Sequence, residues 1–444
     1  MKKFKWLGIV TLAFVILVLA IGGVTKAIFN SRYQAEIAAI KAKGEPLTPA
    51  DLAGKPIPDA ENGAVVYKKV FALIDSGKYD APRKVLDEFV QPPVPDPTTV
   101  AKARQALAQV EPILNLVDEA TARPKCRFPR DWSQGVYTLF PENARLRSIS
   151  RSISSAALLN AVSGNMDESA RYVELGLRHA DCLKDEPALI QLMVRQAMIM
   201  MASQAMKRSL RYGDFSENRA EHVFDILGRV DLDHAFLVAL EGERAAWLHE
   251  MATSPGYAAV VCAVPNRYQD NAIFQPACKA LAFGYKHLCA KGDEAAWLQF
   301  MAEQIAGVKL SYGEARSKGL FRNRTDWPMY APMGKLDGDN YGNIQFLRFN
   351  SARRITMDQM LLALQAYKAR FGGYPATIQE LKSKLGWKLP KDPFSGKDFI
   401  YKRQAKGFIL YSVGPDMKDD GGRALPSNSV DLDSKGDIVL RWDR

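Results

Sequence analysis

From Trp6 to Thr25 no residue carries a charge. Read as a helix rising about 1.5 Å per residue, a run of that length crosses the roughly 30 Å hydrocarbon core of a bilayer. The rest of the chain must then fold as a body tethered at one end. Lys2, Lys3 and Lys5 precede the run, which favours an amino terminus inside and a body on the extracytoplasmic side. Lys26 and Arg32 follow it and weaken that asymmetry. A cleaved signal peptide has a shorter apolar core and an Ala-x-Ala exit, and no such exit follows. The expectation is an uncleaved signal anchor over residues 1–30, single-pass, with the bilayer as its first partner.

Residues 31–60 read as a stalk. Gln34 to Lys43 can prolong the helix, after which Gly44, Pro46, Pro49, Gly54, Pro56 and Pro58 interrupt it. The stretch Pro58-Asp59-Ala60-Glu61-Asn62-Gly63-Ala64 then opens a helix. It resembles a segment that follows the anchor in uncharacterised bacterial single-span membrane-anchored proteins. Residues 61–330 read as a helical domain. Ala144 to Val162 and Asp167 to Leu183 make a hairpin around Gly164-Asn165, with small and apolar residues at helical spacing. That hairpin resembles a tetratricopeptide unit, so the middle is expected to be helical and solenoid-like, although no clean period repeats. Met193, Met198, Met200, Met201 and Met206 read as core filling rather than as ligands.

The net charge of +11 raises the question of nucleic acid. The cations are scattered and no basic-aromatic motif occurs, so nucleic acid is not expected as a partner. No nucleophile elbow, phosphate loop or dinucleotide glycine pattern is present. His249-Glu250 lacks the second histidine of a zinc protease helix. His179, His222, His234 and His287 read as packed or capping side chains, and Glu241 and Glu243 as solvated carboxylates. The expectation is therefore no enzyme and no catalytic residue. Among the five cysteines, Cys262 and Cys278 bracket a loop and are the expected disulfide, if any forms.

Between Asp416 and Asp437 stand six aspartates and no glutamate, on a backbone broken by glycine and proline. Short carboxylates on turns suit a hard cation that takes oxygen ligands. Upstream, Met357, Met360, Leu361, Leu364, Tyr367 and Phe371 form one helical stripe, started at Asn350 or Ser351 and ended by Gly372-Gly373. Phe399 to Lys402, Phe408 to Val413 and Ile438 to Trp442 read as strands. Asp337 to Asn343 reads as the linker into this unit.

Residues 345–444 also resemble the globular domain of the major pseudopilin of type II secretion. The resemblance rests on Tyr374-Pro375, Leu389-Pro390-Lys391-Asp392-Pro393-Phe394, Tyr401, Tyr411, Ser412-Val413-Gly414-Pro415-Asp416, Gly421-Gly422 and Asp437-Ile438. Phe394 stands where that family has Trp, and Met417 where it has Gly. Ala13 stands where a pseudopilin's anchor carries Glu, which puts prepilin-type processing in doubt. The resemblance implies a calcium ion held by Asp416, Asp419, Asp420, Asp431 and Asp433 with backbone carbonyls at Ser412 and Val413. Asp437 either joins them or starts the final strand.

The expected fold class is mostly α: an N-terminal transmembrane helix, a helical middle and a small pseudopilin-like α+β domain. The expected function is an extracytoplasmic scaffold or adaptor anchored in a bacterial inner membrane, near a secretion or pilus-like system. The alternative is a cell-envelope hydrolase with its site in the helical region.

Overall fold

The computed structural model describes residues 2–89, 96–253, 275–338, 341–426 and 430–443. It is mostly helical, with one small sheet. α1 (Lys2–Lys43) is a single helix, because no glycine or proline interrupts Lys26 to Lys43. Its apolar first half is exposed; its second half is docked on the body.

The residues read as a stalk pack against α10 (Leu232–Thr253) and α12 (Ala290–Gly307). Phe29 is buried against Gly292, where an added Cβ would lie 2.7 Å from the phenyl ring. Only glycine allows the two helices to approach so closely. Lys291 sits 3.9 Å above the Tyr33 ring, and Gln299 Nε2 donates to Glu36 Oε1 at 3.1 Å. Ile40 packs with Leu248 and Leu298. Past Gly44, the buried Arg244 guanidinium meets Glu45 at 2.6 Å and the Pro46 carbonyl at 3.1 Å. α2 (Pro49–Leu52), capped by Thr48, buries Pro49 and Leu52. Glycine and proline end the helix here, and apolar residues among them hold the segment on the body.

α3 (Gly63–Asp75) and α4 (Asp80–Phe89) pack on α5 (Pro97–Thr121). α6 (Asn143–Val162) and α7 (Met166–Ala180) form the expected hairpin and pack on α8 (Leu189–Ser209). Ala156, Ala157, Ala161 and Ala170 are buried there, and their small side chains let the helices approach. α9 (Glu217–Gly228) leans on α7 and on the long C-terminal helix. α11 (Gln275–Gly284) passes through a π-turn (Tyr285–Cys289) into α12. Then come α13 (Tyr312–Ser317) and α14 (Pro332–Gly338).

α15 (Gly342–Phe371) starts before the expected cap at Asn350–Ser351. Gln345, Phe346 and Phe349 are buried, so packing extends the helix into the expected linker. α16 (Ile378–Leu385) is capped by Thr377. β1 (Ile400–Gln404), β2 (Gly407–Ser412) and β3 (Ile438–Trp442) form an antiparallel sheet in the order β1-β2-β3. Gly407, at φ +103, turns the hairpin; a Cβ there would fall 1.7 Å from the Trp442 carbonyl oxygen. Tyr312 and Phe321 share an aromatic core with Phe346, Phe349 and Phe394. Residues from both sides of the expected boundary at 330–345 therefore close one interior. Cys126, Cys182, Cys278 and Cys289 are free thiols. Cys262, the expected partner of Cys278, lies outside the described residues.

Candidate functional site

The aspartates of the last loop divide into small groups. Asp437, at the start of β3, is buried and accepts from Gly422 N at 2.7 Å and Asp420 N at 3.3 Å. Burial raises its pKa, and the nearby charges of Asp419 and Asp420 add to that. Asp419 Oδ1 accepts from the Tyr411 hydroxyl at 3.1 Å and Gly421 N at 2.8 Å. Asp420 pairs with Arg423 at 3.2 Å. Apart from these, Asp431 Oδ1 accepts from Asp433 N at 3.1 Å and Ser434 Oγ at 2.8 Å, and Asp416 Oδ1 from Lys418 N at 3.2 Å. Burial pushes the Tyr312 hydroxyl up to about 12; Arg316 opposes the shift, and Asp416 and Asp433 reinforce it. Tyr312 thus feels both charges, and its hydroxyl donates to the Pro415 carbonyl at 2.8 Å.

The Ser412 hydroxyl is buried and donates to Asp392 Oδ1 at 2.8 Å, leaving only its carbonyl as an ion ligand. Val413 is buried beside it. Among the described residues no three acidic, histidine or cysteine side chains converge as a metal-binding group. Asp416, Asp419, Asp420, Asp431 and Asp433 are brought to one end of the sheet, without meeting at one point.

In the helical region two buried groups of polar side chains centre on Arg130 and His179. Arg130 meets Glu142 at 2.6 Å and Glu186 at 2.8 Å, and Gln191 Nε2 donates to Glu142 at 2.7 Å. Burial raises the Glu186 pKa, and Arg130 offsets part of the rise. His179 Nε2 lies 3.0 Å from the Leu146 carbonyl oxygen and Nδ1 lies 2.6 Å from the Tyr67 hydroxyl. A carbonyl only accepts, so Nε2 carries the proton and Nδ1 accepts from Tyr67. Burial lowers the His179 pKa to about 4, which keeps the ring neutral. Glu243 accepts from Leu189 N at 2.9 Å, at the start of α8. It is a half-buried acceptor at a helix start rather than the solvated carboxylate the sequence suggests, and desolvation raises its pKa.

A groove of about 580 Å³ separates α8 from α15, with Val430 and Ile438 at one end. The methionine cluster divides along it. Met198 and Met206 are fully buried, whereas Met193 and Met200 are exposed on the groove wall. Inside, Asp358 accepts from the Ser203 hydroxyl and pairs with Lys207 at 2.9 Å. Arg353 is 8% exposed, and its contacts are Asn350 Oδ1 at 2.5 Å and Met357 Sδ at 3.8 Å. Its Nε has no partner. Arg354 reaches the Met200 sulfur at 2.7 Å. Neither guanidinium has a carboxylate in contact among the described residues.

Sequence reasoning missed this groove. Its one visible signal is the Arg353-Arg354 pair beside the apolar stripe of α15. No family model, no curated protein and no solved structure matches the chain.

Proposed function

We propose that this chain is a membrane-anchored scaffold or adaptor whose body is held at a fixed orientation to the bilayer. One observation carries the reading: α1 runs unbroken from an exposed apolar half into a half packed on α12. A flexible tether would let the body swing, whereas a docked continuous helix transmits position from bilayer to body. The leading lysines put the body on the extracytoplasmic side. The pseudopilin-like character of residues 345–444, and with it a place beside a secretion or pilus-like system, is supported by one helix on a three-stranded antiparallel sheet with an aspartate loop before the last strand. Calcium belongs to the same reading. Asp419 and Asp420 repel Asp437, and a divalent cation relieves such repulsion.

The test is a bacterial strain expressing the full chain with a periplasm-dependent reporter after residue 444. Reporter activity with full-length chain in the membrane fraction is expected; a soluble, shortened chain defeats the anchored reading. In the same membranes, millimolar calcium should raise the thermal midpoint above that with chelator. Asp416→Ala with Asp431→Ala should remove the increment, and an unchanged midpoint in the parent removes calcium from the proposal.

A hydrolase remains the second reading because Ser203, Asp358 and Lys207 meet in the groove. Lys207 is held by the carboxylate that already accepts the Ser203 hydrogen bond, so no free amine faces the hydroxyl. Ester or peptide turnover abolished by Ser203→Ala would promote it.

A further inference from the structure

The charges around the groove do not balance by contact. Lys207 and Asp358 neutralise one another at 2.9 Å. Arg353 feels Asp358 and Asp392 only through space, and Asp392 spends its oxygens on Phe394 N, Ser395 Oγ and Ser412 Oγ. Arg354 adds a second guanidinium at the same place, and the two repel. Burial, reinforced by that repulsion, pulls the Arg353 pKa down to about 10. A buried cation without a contacting counter-ion is costly and persists where something else supplies the charge.

The walls beside the arginines are apolar and adaptable. Met193 and Met200 are 54% and 37% exposed, and Ile355, Val430 and Ile438 continue the surface. Methionine fits itself to irregular or flexible apolar partners. The volume of about 580 Å³ lies in the range that takes a small organic ligand.

We propose that the groove between α8 and α15 binds a flexible hydrocarbon chain ending in a single carboxylate, the carboxylate lying on Arg353 and Arg354. A guanidinium presents parallel N–H donors that match the two oxygens of a carboxylate. The alkyl chain covers Met193 and Met200 and removes their apolar surface from water. This site stands apart from the anchor, and Val430 and Ile438 border the aspartate loop.

The experiment is calorimetric titration of the full chain in lipid nanodiscs with decanoate, with empty nanodiscs subtracted. Saturable binding of one decanoate per chain is expected. Decanol, which has the chain without the charge, should bind about tenfold more weakly or worse. Arg354→Gln removes a partly exposed charge and should weaken decanoate about tenfold with the thermal midpoint retained. Met193→Glu, at an exposed wall position, should abolish binding by repulsion and stands as the second variant should Arg354→Gln fold poorly. Equal binding of decanol, indifference to both substitutions, or no saturable heat would each overturn the proposal.

Discussion

Arg130 and Arg353 are both buried, and their surroundings are opposite. The Arg130 side chain is 1% exposed and lies between two carboxylates, with Phe140 4.4 Å away on its face. Arg353 lies against an amide oxygen and a thioether, and feels the repulsion of the Arg354 charge. The Arg130 cluster ties the loop after α5 to the starts of α6 and α8. Its cation contacts both carboxylates, so no further ion has to bind to balance it. The α8–α15 seam is incomplete, and Arg353 faces a groove rather than a counter-ion. The contrast separates a charge kept for architecture from a charge kept for a ligand.

The largest expected effect falls on the complete cluster. Arg130→Met leaves Glu142 and Glu186 buried without their cation, and loss of one partner from a buried ion pair costs about 3–5 kcal/mol. Chemical denaturation of the detergent-solubilised chain should register that loss. A change below about 1 kcal/mol would mean that water reaches the cluster and that the two regions are not so different.

His179 tests the same region by pH. Its folded pKa of about 4 lies below the unfolded value of 6.5, so the unfolded chain takes up a proton first as pH falls. Stability is therefore full above about pH 6.5 and is lost progressively down to about pH 4, by about 3 kcal/mol from this residue. His179→Gln should flatten that part of the pH profile. An unchanged slope would assign the acid sensitivity to other groups.

Arg353→Met should give the smallest effect. It removes a charge without a contacting counter-ion and keeps an apolar side chain of similar reach, so stability should stay within about 1 kcal/mol of the parent or rise. A loss as large as that of Arg130→Met would show Arg353 to be a structural charge after all and would erase the comparison.

The sequence by itself determined the elements whose pattern is local. An uncharged run, a helical stripe from Met357 to Phe371 and three short apolar segments are enough for the apolar helix, α15 and the sheet, because periodicity depends only on near neighbours. The α6–α7 hairpin was legible for the same reason. Tertiary structure alone decided which side chains meet. Ser203 and Asp358 are separated by 155 positions, and Arg244 and Glu45 by 199, so neither pairing leaves a local trace. The aspartates from Asp416 to Asp437 looked like one ligand set because they are crowded in sequence. Yet the Gly421–Gly422 turn directs Asp437 onto backbone amides, while Asp416 and Asp431 accept from amides of their own turns. Glycine and proline after Gly44 marked where a helix ends, but not that the segment lies on the body, since docking depends on Leu248, Leu298 and Arg244 far along the chain. Composition and spacing specify how a segment curls; the free energy of burying one segment against another specifies where it rests and which charges are left to a ligand.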